Sequence, residues 1–550
     1  MNSKTIPENT PKYAHTANSA GTIMLAFVFA NLLGLVRQVI INRTFGTSPV
    51  LDAYFAAFRV PDLIFHVIAG GALGSAFIPT FTTLLTRESK TQAWKLASAV
   101  INWLLIVSTT FAGVSALFAP WLTQQFLAPG FSQEQISVVV TLMRIMLGST
   151  VIFGASGLLM GIHHSHQHFL SPALAPILYN AGITAGAILL TPKWGVYGLA
   201  YGVLTGAFFH LAIQIPRLIK YSGKYTFTLG IHNQFVRTVG RLMLPRTIGL
   251  SIWQINFWIN TIICSGLPPG SLSALVIAFQ IFTFPQAAIA QAIATAIFPT
   301  FSKQVALGHT NKMRQSLSSS LRGVLYLSIP ASAGLYIIGR PIIEILFQNN
   351  TFSANSTNMV VWALNWYAIG LVSHSVVEIV TRAFYAFKDT RTPVIVGGLS
   401  MILNVILSLV LARAFLANNY YPHGGLALAN TIATTFEMLA LLWILSPRLR
   451  GLRIAVVFKS VLITTLGTTA MLVFLYMWLQ IVTIPAIVTV LGGITMGICV
   501  FWVVTAACGS EEANKIPTII ARQIRGLSMR YPAKTGRCEI RGGCRTPTEW

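Results

Sequence analysis

The sequence predicts an all-α polytopic membrane protein of about 14 transmembrane helices, arranged as two six-helix lobes in parallel pseudo-repeat plus two C-terminal helices. Three observations carry that prediction. The chain of 550 residues is 54% hydrophobic and only 9% charged, with a mean hydropathy of +0.69; a soluble chain needs far more charge to cover its surface. Its apolar residues fall in runs of about twenty, the length that crosses a hydrocarbon core as a helix. Its basic residues fall in every second connector between those runs.

The apolar runs place helices at 21–42, 50–84, 94–119, 135–162, 170–191, 194–215, 236–264, 271–301, 318–338, 358–387, 393–416, 424–446, 455–480 and 484–508. The first twenty residues are polar, and the first apolar run has no small-residue cleavage site, so it reads as a retained span. The second and eighth runs are long and interrupted, one by Pro61 with Gly70 and Gly71, the other by Pro285. A helix broken at membrane depth has to face protein or a wet cavity, because lipid offers its freed backbone groups no partner. These four residues are therefore expected to line a cavity.

The second run ends Ala76–Phe81 as AFIPTF and the eighth ends Ala296–Phe301 as AIFPTF. Six spans separate them, so two halves in the same orientation would place both beside a site between the lobes. The expected organisation is a cytoplasmic segment at 1–20, an N-lobe at 21–216, a C-lobe with its preceding cytoplasmic loop at 217–446, two further helices at 447–508 and a basic cytoplasmic tail at 509–550. Within the tail, Lys515–Arg525 reads as a helix followed by a polar, basic stretch near anionic lipid.

Connector charge sets the orientation. Arg87, Lys90 and Lys95 follow the second span, Arg217, Lys220, Lys224, Arg237 and Arg241 surround the loop after the sixth, and Arg448, Arg450 and Arg453 follow the twelfth. The alternate connectors are nearly bare, so both termini are expected in the cytoplasm, with the chain in the inner membrane. The net charge of +24 is spread through these short connectors, which argues for contact with lipid headgroups and against nucleic acid.

Ionisable groups inside spans cost about 2.5–3.5 kcal/mol each at a helix centre and mark function or a structural pair. Arg37, Asp52, Arg59, Asp62, Arg144, Arg246, Glu378, Arg382 and Glu437 are such groups. Arg37, Asp52 and Arg59 cluster in the first two spans. One reading has both arginines facing a wet cavity and binding an anion, with Asp52 holding one of them; the other is a structural ion pair near the outer interface. A guanidinium suits phosphate because its planar fork gives paired hydrogen bonds and keeps its charge. Glu378 and Arg382, four apart, read as an intrahelical pair, and Arg144 and Arg246 as groups near span ends.

His163, His164, His166 and His168 fall in a connector without a neighbouring Cys or carboxylate, and read as a polar loop more readily than as a metal site. Cys264, Cys499 and Cys508 lie in or beside apolar runs, and Cys538 with Cys544 forms a lone C-x5-C; no disulfide framework or metal is expected. No nucleotide-binding or hydrolytic motif occurs in its structural context. The expectation is a protein that is not an enzyme and has no cofactor, with energy from an ion gradient, the membrane potential or substrate supply.

The stretch Leu33–Phe81 resembles the N-terminal signature of the MurJ/MviN family. The matching pieces are Gly34–Arg37 (G-x-x-R), Phe45-Gly46, Asp52–Pro61 (D-A-Y-x-x-A-F-R-x-P), Gly71-Ala72 and Ala76–Pro79 (A-F-x-P), followed by Ala128–Phe131, Ser171–Pro176 and Phe384–Pro393. The family's members are lipid II flippases of the MATE-like exporter superfamily. The resemblance implies transfer of an undecaprenyl-diphosphate-linked disaccharide-pentapeptide to the outer leaflet for peptidoglycan assembly. It further implies a cationic cavity for the diphosphate, a groove for the lipid tail at the last two spans, and the cell-wall synthesis machinery and membrane lipids as partners.

By matched position Arg37, Asp52 and Arg59 carry over as cavity residues. This chain departs from the family where charges usually stand: Gln38, Phe65, His66, Gly70, Phe279, Gln280 and Thr283 are uncharged or only protonatable. His66 and Gln280 are expected to complete the substrate site with Arg37, Arg59 and Asp52. Acid and base are replaced together in both spans, which leaves no orphan buried charge. A flippase for another polyprenyl-diphosphate oligosaccharide and an ion-coupled exporter of the same fold are the alternative readings; the exporter would be expected to carry a lone cavity carboxylate.

Overall fold

The computed structural model describes residues 11–68, 72–481 and 486–514. Its long helices are α1 (Pro11–Phe45), α2 (Pro49–Ile68), α3 (Ala72–Thr83), α4 (Lys90–Leu117), α5 (Gln133–Ser165), α6 (Leu170–Ala185), α7 (Tyr197–Ala212) and α8 (Gln234–Ser265). They continue as α9 (Ser271–Gln286), α10 (Ala292–Ala306), α11 (Thr310–Phe347), α12 (Ala354–Ala386), α13 (Arg391–Ala417), α14 (His423–Arg448), α15 (Ile454–Ile481) and α16 (Ala486–Ala507). Short polar residues start several of them. Ser89 accepts from the Gln92 N–H, Ser353 from the Ser356 N–H, and Ser132 forms a reciprocal box with Gln135, each satisfying donors that a helix start leaves free.

Eleven helices among the described residues are long and apolar enough to cross a membrane. The remaining long units, α1, α2 with α3, and α8, carry most of the intramembrane charges named above, so apolarity alone does not reach the expected fourteen. Large apolar side chains stand exposed on the long helices, among them Trp443 on α14, 80% exposed as a lipid-facing side chain is.

The packing repeats after six spans. In the first half α5 is central, touching α2, α4 and α7, while α6 packs on α1 and α7. In the second half α12 is central, touching α9, α10, α11 and α14, while α14 packs on α13. Phe81 on α3 and Phe301 on α10, the last residues of the two similar hexapeptides, are both fully buried. One helix breaks the correspondence: α8 leans on α2 and α3 of the first half as well as on α9 and α13. The pair α15–α16 packs on α11 alone of the second half's larger contacts. Close approach of α6 and α7 depends on glycine: a Cβ at Gly182 would lie 2.4 Å from the Gly206 Cα.

The expected helix breaks need correction. Pro61 lies inside a continuous α2, buried among neighbouring helices. The proline removes one intrahelical hydrogen bond, that to the Ala57 carbonyl, and the helix continues through it. Gly70 and Gly71 lie outside the described residues. Pro285 does disturb its helix, but as a wide π-helical turn at Ala287–Gln291 between α9 and α10, so the chain stays helical through it. The segment at Lys515–Arg525 and Cys538 with Cys544 lie outside the described residues.

The histidine run is also not a free loop. His163 and His164 end α5, and His163 is buried, with its ring nitrogens 3.0 Å from the Tyr221 hydroxyl and 3.1 Å from the Gln214 carbonyl. His166 stacks on the Tyr221 ring at 4.0 Å. His163 and His166 therefore dock the connector after α7 against the end of α5, while His168 bonds Ser171 at 3.0 Å. Glu378 and Arg382 pair along α12 at 3.6 Å, and Arg144 donates to the Ala116 carbonyl at 3.0 Å.

Candidate functional site: a cavity between the halves

A cavity of about 920 Å³ lies where α1, α2 and α6 meet α8, α9, α12 and α14. Two arginines line it. Arg37 reaches in from α1, and its Nη1 donates to Asn180 Oδ1 on α6 at 2.9 Å. Asn180 is itself fixed by donating to the Ala30 carbonyl at 3.3 Å. The Nε of Arg37 is buried without a protein partner, so part of its hydrogen-bonding capacity is spare. Arg59 on α2 donates from Nε to Thr261 Oγ1 at 3.0 Å, and its guanidinium carbon sits 5.3 Å from the centre of the Phe257 ring. Both of those partners belong to α8, which is how that helix bridges the halves.

Among the described residues, the cavity wall carries Arg37 and Arg59 and no carboxylate. Its other polar members are uncharged amides, a threonine and a tyrosine, together with His374. Gln280 on α9 lines it, with Oε1 buried and unpartnered. Helical spacing explains the placement: Val276, Gln280, Thr283 and Ala287 follow one stripe and all reach the cavity. Arg37, Arg59 and Gln280 are thus brought together. Two guanidinium groups among uncharged hydrogen-bonding side chains have the chemistry to hold an anion.

Asp52 and His66 stand elsewhere. Asp52 is buried and holds neither arginine; it accepts hydrogen bonds from the Gly270 N–H at 2.7 Å and the Ser273 N–H at 2.6 Å, capping α9. The physical reason is local. Gly270 precedes the helix with φ +86° and has no side chain to cap it, so the free N–H groups and the positive end of the helix dipole draw a carboxylate from outside. His66 pairs along α2 with Asp62 at 3.6 Å, and Asp62 also accepts from Gln254 at 3.2 Å. Neither Asp52 nor His66 is in the cavity wall.

The Asp52 contact is one of several that shut the same end of the bundle. Arg43 donates to the Leu346 and Ile345 carbonyls at 2.7 and 2.8 Å, Thr47 donates to Ser356 Oγ at 2.8 Å, and the Gly130 N–H donates to Ser265 at 3.1 Å. A Cβ at Gly46 would stand 2.7 Å from the Thr351 carbonyl oxygen. The first and second halves touch here backbone to backbone.

Beside the cavity runs an apolar groove of about 970 Å³, bounded by α11, α15 and α16. Pro285 belongs to this groove and not to the central cavity. It and Ile289 face the groove, while Phe284, Ala287 and Ala288 of the same stretch face the cavity. The wide turn after Pro285 is therefore the wall between a polar chamber and an apolar one. Sequence reading misses Asn180, Asn256 and Asn260 in the cavity and Thr261 behind Arg59; the available signal is the carboxamides Asn256 and Asn260, four residues apart in the seventh apolar run.

A polar chamber between two halves of similar helix packing, closed at one end, in a chain with eleven helices able to cross a membrane among its described residues, defines a multi-pass membrane transporter. The fold agrees with a multidrug resistance MATE family transporter of the MOP superfamily in its inward-facing conformation, at a TM-score of 0.63 with 15% identity over 78% of this chain and 96% of that one. The particular family is shown by sequence: the model for "Lipid II flippase MurJ" matches residues 41–496, and the chain belongs to that family. The lipid II flippase MurJ of Burkholderia cenocepacia is 29% identical over 435 residues, covering 77% of this chain and 82% of that protein. A solved structure of lipid II flippase MurJ in an inward closed conformation superposes at a TM-score of 0.74 with 26% identity, covering 88% of this chain and 98% of that one.

Proposed function

We propose that this protein flips lipid II, the undecaprenyl-diphosphate-linked peptidoglycan precursor, from the inner to the outer leaflet of the cytoplasmic membrane by alternating access. One observation carries the reading: a cavity with two arginines and no carboxylate among its described residues shares a wall with a long apolar groove. An amphipathic lipid needs such a pair, one chamber for its anionic headgroup and one for its tail. A cation exporter would place a carboxylate in the cavity instead, to bind its cargo or coupling ion.

The positive-inside rule puts the Arg- and Lys-rich connectors, and with them both termini, in the cytoplasm. The end sealed by Asp52, Arg43 and Thr47 is then the outer one. In this arrangement all fourteen helical units cross, including α1, α2 with α3, and α8. Arg37 and Arg59 hold the diphosphate, the halves rock about the cavity, and the outer seal opens to release the headgroup. In this reading the protein makes and breaks no covalent bond and needs no cofactor of its own, and an ion gradient, the membrane potential or substrate supply drives the cycle.

Complementation tests this. Expression in a strain depleted of its own lipid II flippase is expected to restore growth, and Arg37→Ala is expected to insert normally without rescuing. Failure of well-expressed, membrane-inserted wild type to rescue would overturn the assignment of cargo.

A further inference from the structure

The cavity holds more carboxamides than its arginines use. Asn180 holds Arg37, Gln38 donates to Asn42 at 2.8 Å, and Asn430 pairs with His374 at 2.9 Å. Asn256 and Asn260 on α8 and Gln280 on α9 differ: Asn256 Oδ1, Asn260 Oδ1 and Gln280 Oε1 are all buried and have no protein partner. Buried polar atoms are normally paired, so three spare amides around one chamber call for a ligand or water to complete them.

Their chemistry narrows what completes them. A carboxamide both donates and accepts, as a hydroxyl or an acetamido group does. A diphosphate only accepts and is matched by the guanidinium groups, and a hydrocarbon tail does neither. Position narrows it again. Asn256 and Asn260 are one turn apart, and the next residues on the helix, Phe257 and Thr261, are the two that hold Arg59. The amides therefore flank the anion grip, where the group bonded to the diphosphate would lie.

We propose that Asn256, Asn260 and Gln280 recognise the sugar attached to the diphosphate, through its hydroxyl and acetamido groups, while Arg37 and Arg59 hold the phosphates. This rests on the lipid II reading and adds to it the part of the cargo that is read. It also gives a use to Gln280, whose buried Oε1 has no protein partner.

The test is native mass spectrometry of the full-length protein in detergent with three lipids: undecaprenyl diphosphate, the same lipid carrying the disaccharide without peptide, and lipid II. Wild type is expected to bind the disaccharide lipid about tenfold or more tighter than undecaprenyl diphosphate. The double variant Asn256→Leu/Asn260→Leu is expected to bring that ratio close to one while keeping its affinity for undecaprenyl diphosphate. Arg37→Ala is expected to weaken both lipids in parallel. An unchanged ratio in the double variant overturns the proposal, as does a preference that appears only when the peptide is added. Should the double variant fail to fold, it will lose undecaprenyl diphosphate as well; Gln280→Leu, a single change of similar volume, then decides by the same ratio. Wild type that binds none of the three lipids sinks the lipid II reading itself, an outcome distinct from a lost sugar preference.

Discussion

Asp52 and Ser273 are 221 residues apart in the chain and joined by a 2.6 Å hydrogen bond, carboxylate to backbone N–H. The bond ties the start of α2 to the start of α9, equivalent helices of the two halves. With Gly270 also donating to Asp52, one carboxylate satisfies two N–H groups that the helix start would otherwise leave unmet. A transporter that alternates has to break such a contact to open this end, and a single carboxylate is easily parted from two backbone groups in one rigid-body motion.

Asp52→Ala is accordingly expected to weaken the seal, leaving two buried donors at about 1–3 kcal/mol each in the closed state. Asp52→Asn keeps the shape and one acceptor oxygen and should lie between. The measurement is disulfide formation between cysteines placed at Thr47 and Ser356, whose side chains touch at 2.8 Å. The cross-linked fraction should fall in the order wild type, Asp52→Asn, Asp52→Ala; equal cross-linking in all three would remove Asp52 from the seal.

The two arginines make a second prediction, separable by their supports. Arg37 is positioned by Asn180, so Asn180→Leu should reduce rescue of a flippase-depleted strain in the same direction as Arg37→Ala, though less severely. Arg37→Lys keeps charge but loses the planar fork and is expected to rescue only partly. Losing one charged hydrogen-bond donor corresponds to roughly a tenfold to hundredfold loss in lipid affinity. Full growth of Arg37→Ala with normal protein levels would contradict the anion grip.

How much of this was legible beforehand follows from the range of each interaction. Helix positions were readable because about twenty apolar residues in a row have one solution in a bilayer. Arg37 and Arg59 are readable as cavity residues because a charge at that depth needs a wet or polar setting, whereas Gln280 is readable only through the family resemblance. Asp52 is legible as a buried charge but its partners are not, since its donors sit on a helix start in the other half and no local pattern points there. The only hint was Gly270-Ser271-Leu272-Ser273, a helix opening without a capping side chain at its first position. Pro285 was rightly read as a disturbance and wrongly aimed: a helix stretch between two chambers presents neighbouring residues to opposite sides. Pro61 shows that a proline inside a packed helix need not end it.

A third prediction concerns the base of the apolar groove. Arg322 on α11 pairs with Glu511 at 3.1 Å and Glu512 at 3.3 Å, just past α16, while Tyr326 and Thr505 share a hydrogen bond at 2.9 Å. The Glu512 side chain is 13% exposed and the Glu511 side chain 61%, so solvent screens the second pair far more. Glu512→Gln is therefore expected to lower the thermal midpoint of the detergent-solubilised protein more than Glu511→Gln. A double-mutant cycle between Arg322 and Glu512 should give a coupling of about 1 kcal/mol or more, and zero coupling would mean that the pair does not fasten α16 to α11.

The last prediction comes from the connector between α12 and α13, outside the membrane. Asp389 accepts from the Thr392 N–H at 3.0 Å and hydroxyl at 2.7 Å, and pairs with Arg448 at 2.7 Å. The Thr392 hydrogen bonds first, and then Arg448, favour the ionised form and hold the Asp389 carboxyl down at about 2, against an ordinary 3.8. A depressed folded-state value means that the unfolded chain takes up the proton first as the pH falls. The stabilisation is thus complete above the ordinary value, declines as the pH drops below it, and is gone once the pH has passed through the folded value. Asp389→Asn should melt below wild type by a constant margin at pH 5 and above, with the gap narrowing below about pH 4 and closing near pH 2. The Arg448 side chain is 36% exposed and the Asp389 side chain 19%, so solvent screens part of the pair and the margin is expected to be small. A gap that stays constant down to pH 2 would show that Asp389 acts through packing and not through its charge.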